Sequence, residues 1–363
     1  MMVGGLRRLA KAAVLLLAAF TVFVAWSVRL APDDVGSLCL LWFAFPYAWM
    51  ALAVAMLLCL LLRWRVSALA CVLALAFTVP SAIRVVDLPL PRKAASGVKL
   101  LTYNVRGLAP YGPVGAAERL DSIACFILSQ DADVVCLQEV PPEARLRALS
   151  SATCDRVLAQ YPYMASKSNQ LTLSKTPIRM VDDAATLGLS GQVPQVFLAT
   201  DVCWGGDTVR LFNCHLASLK LTQKQIDSVT AKDINRAHAS TLRGTLRIAV
   251  DAAAHRAVEA RMLARAVDNS PRPVVVCGDF NDTPVSYTYH TVAGARPHGD
   301  CQSDLSDCRE SHRLGLARTY LGNLPPLRID FVFASARLRH GGYEEHALAL
   351  SDHKAVSVSL NLE

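Results

Sequence analysis

Apolar residues are spread very unevenly along this chain. Residues 12–31, AAVLLLAAFTVFVAWSVRLA, and residues 37–62, SLCLLWFAFPYAWMALAVAMLLCLLL, are nearly unbroken apolar runs. Each is long enough to supply the roughly 20 residues that carry a helix across a bilayer. Pro46 falls inside the second run and predicts a kink or a late helix start there. A third, weaker run over 66–86 is interrupted by Pro80, which predicts a break. Arg7, Arg8 and Lys11 precede the first run as they would in a signal peptide. No small-residue cleavage site follows and two further runs do, so the first run reads as an anchor.

Beyond residues 88–97, LPLPRKAASG, which read as a linker, the pattern changes to short apolar strands alternating with helical spacing. Strands are predicted over 98–105 and 132–140, and helices over 116–130 and 142–152. QVFLATDVC and TVRLFNCHL flank the turn WGGD as a predicted hairpin. Residues 222–268 are mostly helical in pattern, and PVVVCGDF, LRIDFVFAS and HKAVSVSLNL are strand-like. The reading is a membrane region over 1–87, a linker over 88–97 and one domain over 98–363. Strands, helices and hairpins intermixed in this way predict a layered α/β domain with mixed sheets.

Composition sharpens the division. The chain of 363 residues is 53% hydrophobic and carries a net charge of +7. Up to Lys93 there are nine Lys and Arg against three Asp; beyond it there are 28 against 27 acidic residues. The excess charge therefore sits with the apolar runs, and the domain is close to neutral. A neutral domain argues against strong non-specific nucleic-acid binding, which needs a basic footprint. Arg7, Arg8, Lys11, Arg63 and Arg65 mark the amino terminus and the second connection as cytoplasmic. Three spans then place the domain outside the cytoplasm. Eleven cysteines suit such a compartment. Cys125, Cys136, Cys214 and Cys277 read as buried thiols, while Cys301 with Cys308 and Cys154 with Cys203 are the disulfide candidates. Lys220, Lys224, Lys232, Arg236, Arg243 and Arg247, with Asp227, Asp233 and Asp251 among them, read as a solvated helix face or a contact for anionic lipid.

Polar residues recur at the ends of the apolar strands. Asn104 ends LLTYN, Glu139 ends VVCLQE, His215 ends RLFNCH, and Asp279 and Asn281 end VVVCGDFN. Asp330 lies within LRIDFVF, and Asp352 and His353 open SDHKAV. Each alone reads as a turn former or a cap. Together they gather where layered α/β folds build sites. Glu139 and Asp352 are hard oxygen donors suited to Mg²⁺ or Mn²⁺. His353 with Asp330 would make an oriented imidazole. Asp279 and Asn281 would hold a water, and His215 and Asn104 would donate to phosphoryl oxygens. Gly278 would let the backbone approach closely, and Asp282 and Pro284 would shape the loop. No Walker loop, GxSxG or HExxH competes.

The segments TYNVRG, LQEV, LSKTPI, NCHL, GDFND, RIDFVF and SDHKAV follow one another in an order that resembles the endonuclease/exonuclease/phosphatase superfamily over about residues 98–361. The resemblance implies a four-layered α/β sandwich of the DNase I kind. It implies Glu139 as the principal metal ligand, with Asn104 and Asp352 as secondary ligands or positioning groups. It implies Asp279 and Asn281 as the water-activating and phosphate-orienting pair. His353, oriented by Asp330, would be the acid/base or phosphate-contacting group, and His215 the transition-state stabiliser. DTPVSYTY and the apolar runs resemble bacterial membrane-anchored members with a helical insertion before GDFND. SNQLTLSK departs from the glycine that many members have before LSKTPI, and Arg318 stands where a smaller residue is usual. The expected activity is a membrane-anchored, Mg²⁺- or Mn²⁺-dependent phosphodiesterase acting on lipid headgroups, with no obligate protein partner. The alternatives are an extracytoplasmic nuclease and an inactive membrane-bound binding module.

Overall fold

The computed structural model describes residues 2–91, 93–94, 96–109, 115–142, 151–218, 236–298, 304–311, 314–322 and 326–363. Three helices open the chain: α1 (Met2–Ser27), α2 (Phe45–Leu61) and α3 (Arg65–Val85). All three lie in segments long and apolar enough to cross a membrane. Pro46 stands in the first turn of α2, so the second run starts late, after a short helix Pro32–Val35 and a 3-10 segment Gly36–Ala44. The expected break at Pro80 does not occur. α3 continues through it to Val85, because packing along α1 and α2 holds the helix on both sides of the lost hydrogen bond.

The domain is a four-layered sandwich. One sheet has the order β11 (Leu338–His346), β12 (Ala355–Leu362), β1 (Val98–Asn104), β2 (Val134–Gln138), β4 (Gln170–Ser174), β3 (Tyr163–Lys167). The other has the order β9 (Ser306–Asp307), β10 (Asp330–Ala334), β8 (Val274–Asp279), β7 (Asp207–His215), β6 (Phe197–Trp204), β5 (Ile178–Met180). The sheets bury Leu100, Val134, Cys136, Leu211, Val275, Cys277 and Val358 against each other. The outer face of the first sheet carries α4 (Ala116–Gln130) and α5 (Ala152–Gln160), through Ile123, Ala124, Ile127 and Val157. The outer face of the second carries α6 (Arg236–Asp268) and α7 (Tyr287–Ala293), through Ala260, Leu263, Val267 and Val292. Both central strands of each sheet are buried on two faces, which is why their sequences are continuous apolar runs.

The WGGD turn joins β6 to β7, with Gly205 and Gly206 at positive φ, as a two-residue hairpin turn demands. Of the expected helix over 142–152, all but its ends lies outside the described residues, and α5 begins at its last residue, Ala152. Lys220, Lys224, Lys232, Asp227 and Asp233 also lie outside them, and Arg243, Arg247 and Asp251 are exposed. Cys154 and Cys203 are free thiols, since α5 and β6 belong to different halves of the sandwich. Cys125 is exposed rather than buried. Cys301 lies outside the described residues, and Cys308 is buried between the sheets.

The stretch after α3 is not a loose spacer. Val86 and Asp87 pair with Leu316 and Gly315, and Leu88 and Leu90 bond Ser311. Arg309 reaches the carboxylate of Asp87 and the carbonyls of Ile83 and Val86. Arg261 of α6 pairs with Asp33 at 2.7 Å. Val24, Val28, Trp42, Phe45 and Val85 share an apolar cluster with Ala253 and Val285 of the domain.

Candidate active site

Two parallel strand pairs place the polar residues on one edge. β1 and β2 run parallel with Asn104 opposite Gln138, so Asn104 and Glu139 leave the first sheet side by side. β7 and β8 run parallel with His215 opposite Asp279. β10 runs antiparallel to β8, and its first residue, Asp330, is the register partner of Asp279. Asp330 thus opens its strand, yet reaches the same edge as the strand ends around it. Asp352 and His353 lie in the loop before β12, and Thr319 and Tyr320 pair with this loop.

Gly278 makes the junction of β7 and β8 possible. Its φ is 127°, and a Cβ there would stand 2.1 Å from the carbonyl oxygen of Cys214. No residue with a side chain fits so close an approach. Glu139 and Asn281 hold positive φ values of 54° and 50°, a conformation that costs a non-glycine residue on the order of 1–3 kcal/mol. Glu139 is held in it from both sides: Gly107 N–H donates to its carbonyl at 2.9 Å, and Val140 N–H donates to the Asn169 carbonyl at 2.8 Å.

The side chains converge around Asp279. Asn104 Nδ2 donates to Glu139 Oε1 at 3.0 Å and to Asp279 Oδ2 at 2.9 Å. The backbone N–H of Asn281 donates to Asp279 Oδ1 at 2.8 Å, and its Nδ2 donates to the Leu216 carbonyl at 2.9 Å. His353 Nδ1 lies 3.0 Å from Asp330 Oδ2, and its Nε2 lies 3.7 Å from Asp279 Oδ2. His215 Nε2 lies 3.5 Å from Glu139 Oε1 and 4.0 Å from Asp279 Oδ2. Ligand atoms of Glu139, His215 and Asp279 all fall within 4.8 Å of one another, as do those of Asp279, Asp330 and His353. Asp279 is buried, whereas 34% of the Glu139 side chain is open to solvent.

Burial pushes the Asp279 carboxyl up from its usual range, against the opposing pull of His353. Burial disfavours the charged ring of His353, but the carboxylates of Asp330 and then Asp279 outweigh it and raise the imidazole to about 10. A ring so held carries its proton at neutral pH and offers Nε2–H to the cleft.

Several supporting residues are not evident in the sequence. Asn169 Nδ2 lies 2.8 Å from His215 Nδ1. With the amide donating, the imidazole proton belongs on Nε2, a buried nitrogen with no hydrogen-bond partner of its own. Arg256 of α6 binds the Ala217 carbonyl and the Asp282 carboxylate, and Glu259 accepts from Ala217 N–H. That helix therefore fixes the loops that carry His215 and Asn281. Asp282 also accepts from Thr283 N–H and Thr288, in the loop-shaping role expected of it. Arg318 is no free surface arginine: it bonds the carbonyls of Tyr320 and Gly322 behind His353.

Of the three expected metal ligands, Asn104 and Asp352 each engage a protein partner, as positioning groups do. Asn104 turns its amide nitrogen toward the carboxylates, and its oxygen accepts from Arg106 N–H at 2.9 Å. Asp352 pairs with Arg106 Nε at 3.1 Å. The oxygen donors that face each other are Glu139 and Asp279. Two hard carboxylates, one open to solvent, fit a divalent cation that keeps several of its own waters.

A model described as the Endonuclease/Exonuclease/phosphatase family matches residues 101–353. No curated protein matches the chain. Among solved structures, truncated TDP2 from Caenorhabditis elegans is 16% identical, covering 72% of this chain and 97% of that one, with a TM-score of 0.44. Sphingomyelinase C from Streptomyces griseocarneus is 20% identical, covering 73% and 100%, with a TM-score of 0.45. An endonuclease/exonuclease/phosphatase from Bacteroides vulgatus is 20% identical, covering 74% and 100%, with a TM-score of 0.43.

Proposed function

Since the chain belongs to the endonuclease/exonuclease/phosphatase family, whose members are metal-dependent phosphoester hydrolases, we propose that it is a membrane-anchored phosphodiesterase acting on lipid headgroups. The observation that carries the chemistry is the pair of carboxylates, Glu139 and Asp279, brought within 4.8 Å at one strand edge. Mg²⁺ or Mn²⁺ held by Glu139, with Asp279 beside it, would neutralise the phosphodiester charge. Asp279 takes the proton of the attacking water, which Asn281 helps to hold. His215 and protonated His353 donate through their Nε2 atoms to the phosphoryl oxygens as charge builds there. Asp330 keeps His353 charged, and Asn104 keeps the two carboxylates apart from each other's repulsion. Asp352 acts through Arg106 on the rim.

The three apolar helices support membrane anchoring. Arg7 and Lys11 stack on Trp64 at the end of the bundle away from the domain. By the positive-inside rule this supports a domain outside the cytoplasm. The helices also bear directly on the domain, which favours a substrate drawn from the bilayer over one from solution.

The test is hydrolysis by the full chain in detergent, with Mg²⁺, of phosphatidylcholine or sphingomyelin vesicles, plasmid DNA and bis(p-nitrophenyl) phosphate, beside Glu139→Ala. Vesicle cleavage that is lost in the variant is the expected result. Cleavage of DNA alone overturns the lipid reading, and cleavage of nothing in the presence of bound metal overturns the phosphodiesterase reading.

A further inference from the structure

A pocket of about 320 Å³ lies where the second apolar segment meets the domain. Its volume falls in the range of about 300–1,000 Å³ typical of small-molecule sites. One wall is Leu40, Trp42, Phe43, Pro46 and Tyr47, all within the segment Pro32–Leu61 that is long and apolar enough to cross a membrane. The opposite wall comes from α6 and from the two loops that carry the catalytic centre. Thr283, Pro284 and Val285 follow Asn281 and Asp282 directly, and Leu327 and Arg328 precede Asp330. Among the described residues, Arg328 is the one charged residue lining the pocket, and its guanidinium is engaged by Asp307 at 2.5 Å. Tyr47 and Leu246 stand 45% and 44% exposed at its rim.

We propose that this pocket takes one acyl chain of a bilayer lipid and so brings that lipid's phosphodiester to Asp279 and His353. The inference rests on the membrane-anchored phosphodiesterase reading. The occupant follows from the walls. A mostly apolar cavity whose one charge among the described residues is internally paired disfavours a polar ligand, because an unpaired polar group inside it would go unsolvated. A wall built from a segment long and apolar enough to cross a membrane makes a bilayer lipid the apolar ligand nearest to hand. The shared loops tie the chain site to the phosphate site, and Tyr320 bridges Leu327 of the pocket to His353. Filling the pocket therefore acts on lipid substrates and leaves small soluble diesters no site to lose.

The experiment places the full chain in phosphatidylcholine nanodiscs doped with a phosphatidylcholine carrying a diazirine at mid-chain. Irradiation is expected to label peptides that contain Trp42, Leu246 or Val285. Ala249→Trp and, separately, Leu246→Trp are expected to cut that labelling at least fivefold. Each is also expected to cut the ratio of vesicle to bis(p-nitrophenyl) phosphate hydrolysis at least tenfold. Labelling confined to the outer faces of α1, α2 and α3, or unchanged in both variants, overturns the proposal. Glu139→Ala, which removes hydrolysis, is expected to label as the unaltered chain does, so loss of the phosphodiesterase reading and loss of the acyl site give different results.

Discussion

Asp279 and Asp330 are register partners on antiparallel strands, and the imidazole of His353 is held against both carboxylates. Its pKa, raised to about 10, depends on them. A histidine whose pKa is raised on folding stabilises the fold fully below the unfolded value of about 6.5. That contribution is lost as pH rises through about 10. In the metal-free protein, thermal stability is therefore expected to decline across that window. Asp330→Asn removes the larger of the two carboxylate influences, so the decline should shrink and shift toward neutral pH. The same variant is expected to lower kcat about 10²–10⁴-fold, the range of a lost acid/base or charged donor. A variant whose stability profile and kcat both match the unaltered protein would sink the assignment.

Asn169 is expected to act through His215. Removing its amide in Asn169→Ala frees the ring to turn and loses the tautomer that points Nε2–H at Glu139 and Asp279. Orienting partners of this kind are worth about 10–100-fold, and the loss should fall on kcat with KM little altered. Asn169→Gln keeps an amide that can donate to Nδ1 and should recover most of the rate. Equal loss in both variants would mean that Asn169 serves only the β3–β4 hairpin.

Much of this site was legible in the chain because its residues end continuous apolar strands, and an Asp, Asn, Glu or His there stands out against Val and Leu. The layered α/β domain with mixed sheets followed from the same alternation of buried strands and amphipathic helices, and its four layers from the resemblance to the family. What was not legible depends on proximity made only by folding. Asn169 stands unmarked within SNQLTLSK, and Arg256 and Glu259 stand unmarked within the long helical pattern over 222–268. The pairing of Asp352 with Arg106 is likewise made only by folding. The helix through Pro80 was misjudged for a related reason: a local rule about proline gave way to packing on two neighbouring helices.

Gly278 fixes how closely β7 and β8 approach, and therefore the spacing of His215 and Asp279. Gly278→Ala must relieve a 2.1 Å contact with backbone and adopt a φ of 127°. Strain of this sort costs on the order of 1–3 kcal/mol, and a backbone shift at the centre costs rate as well. The expected outcome is a lower melting temperature together with a kcat loss of at least about 10²-fold, since small misplacements of reacting groups are that expensive. Gly294→Ala, at the end of α7 and away from the centre, serves as the comparison and should keep its kcat. Full activity in Gly278→Ala would show that the strand junction tolerates repacking.

The pair of Asp307 and Arg328 tests whether buried charge holds the domain together beneath the pocket. Asp307 accepts from both Arg328 nitrogens, at 3.2 and 2.5 Å, and from the Tyr289 hydroxyl at 2.8 Å. Burial alone would raise its carboxyl, but the Arg328 charge and these hydrogen bonds overcome it and hold the group below its ordinary value. A carboxylate depressed in this way stabilises the fold above its unfolded pKa of about 3.9, and the contribution is lost as pH falls through the lower folded value. Asp307→Asn leaves a buried guanidinium without its counter-charge, which typically costs about 3–5 kcal/mol. The variant should therefore melt earlier at pH 7 and lose less than the unaltered protein on acidification to pH 3. Replacing both partners, in Asp307→Leu with Arg328→Met, removes the stranded charge and should restore most of the stability lost by the single change, because a buried pair and a well-packed apolar pair of similar volume are often close in energy. Melting curves of the unaltered protein and the two variants in detergent between pH 3 and pH 7 decide it: a double variant no more stable than Asp307→Asn would mean that the hydrogen bonds Asp307 accepts from the Tyr289 hydroxyl and from Arg309 N–H, and not the charge pair, hold this corner of the fold.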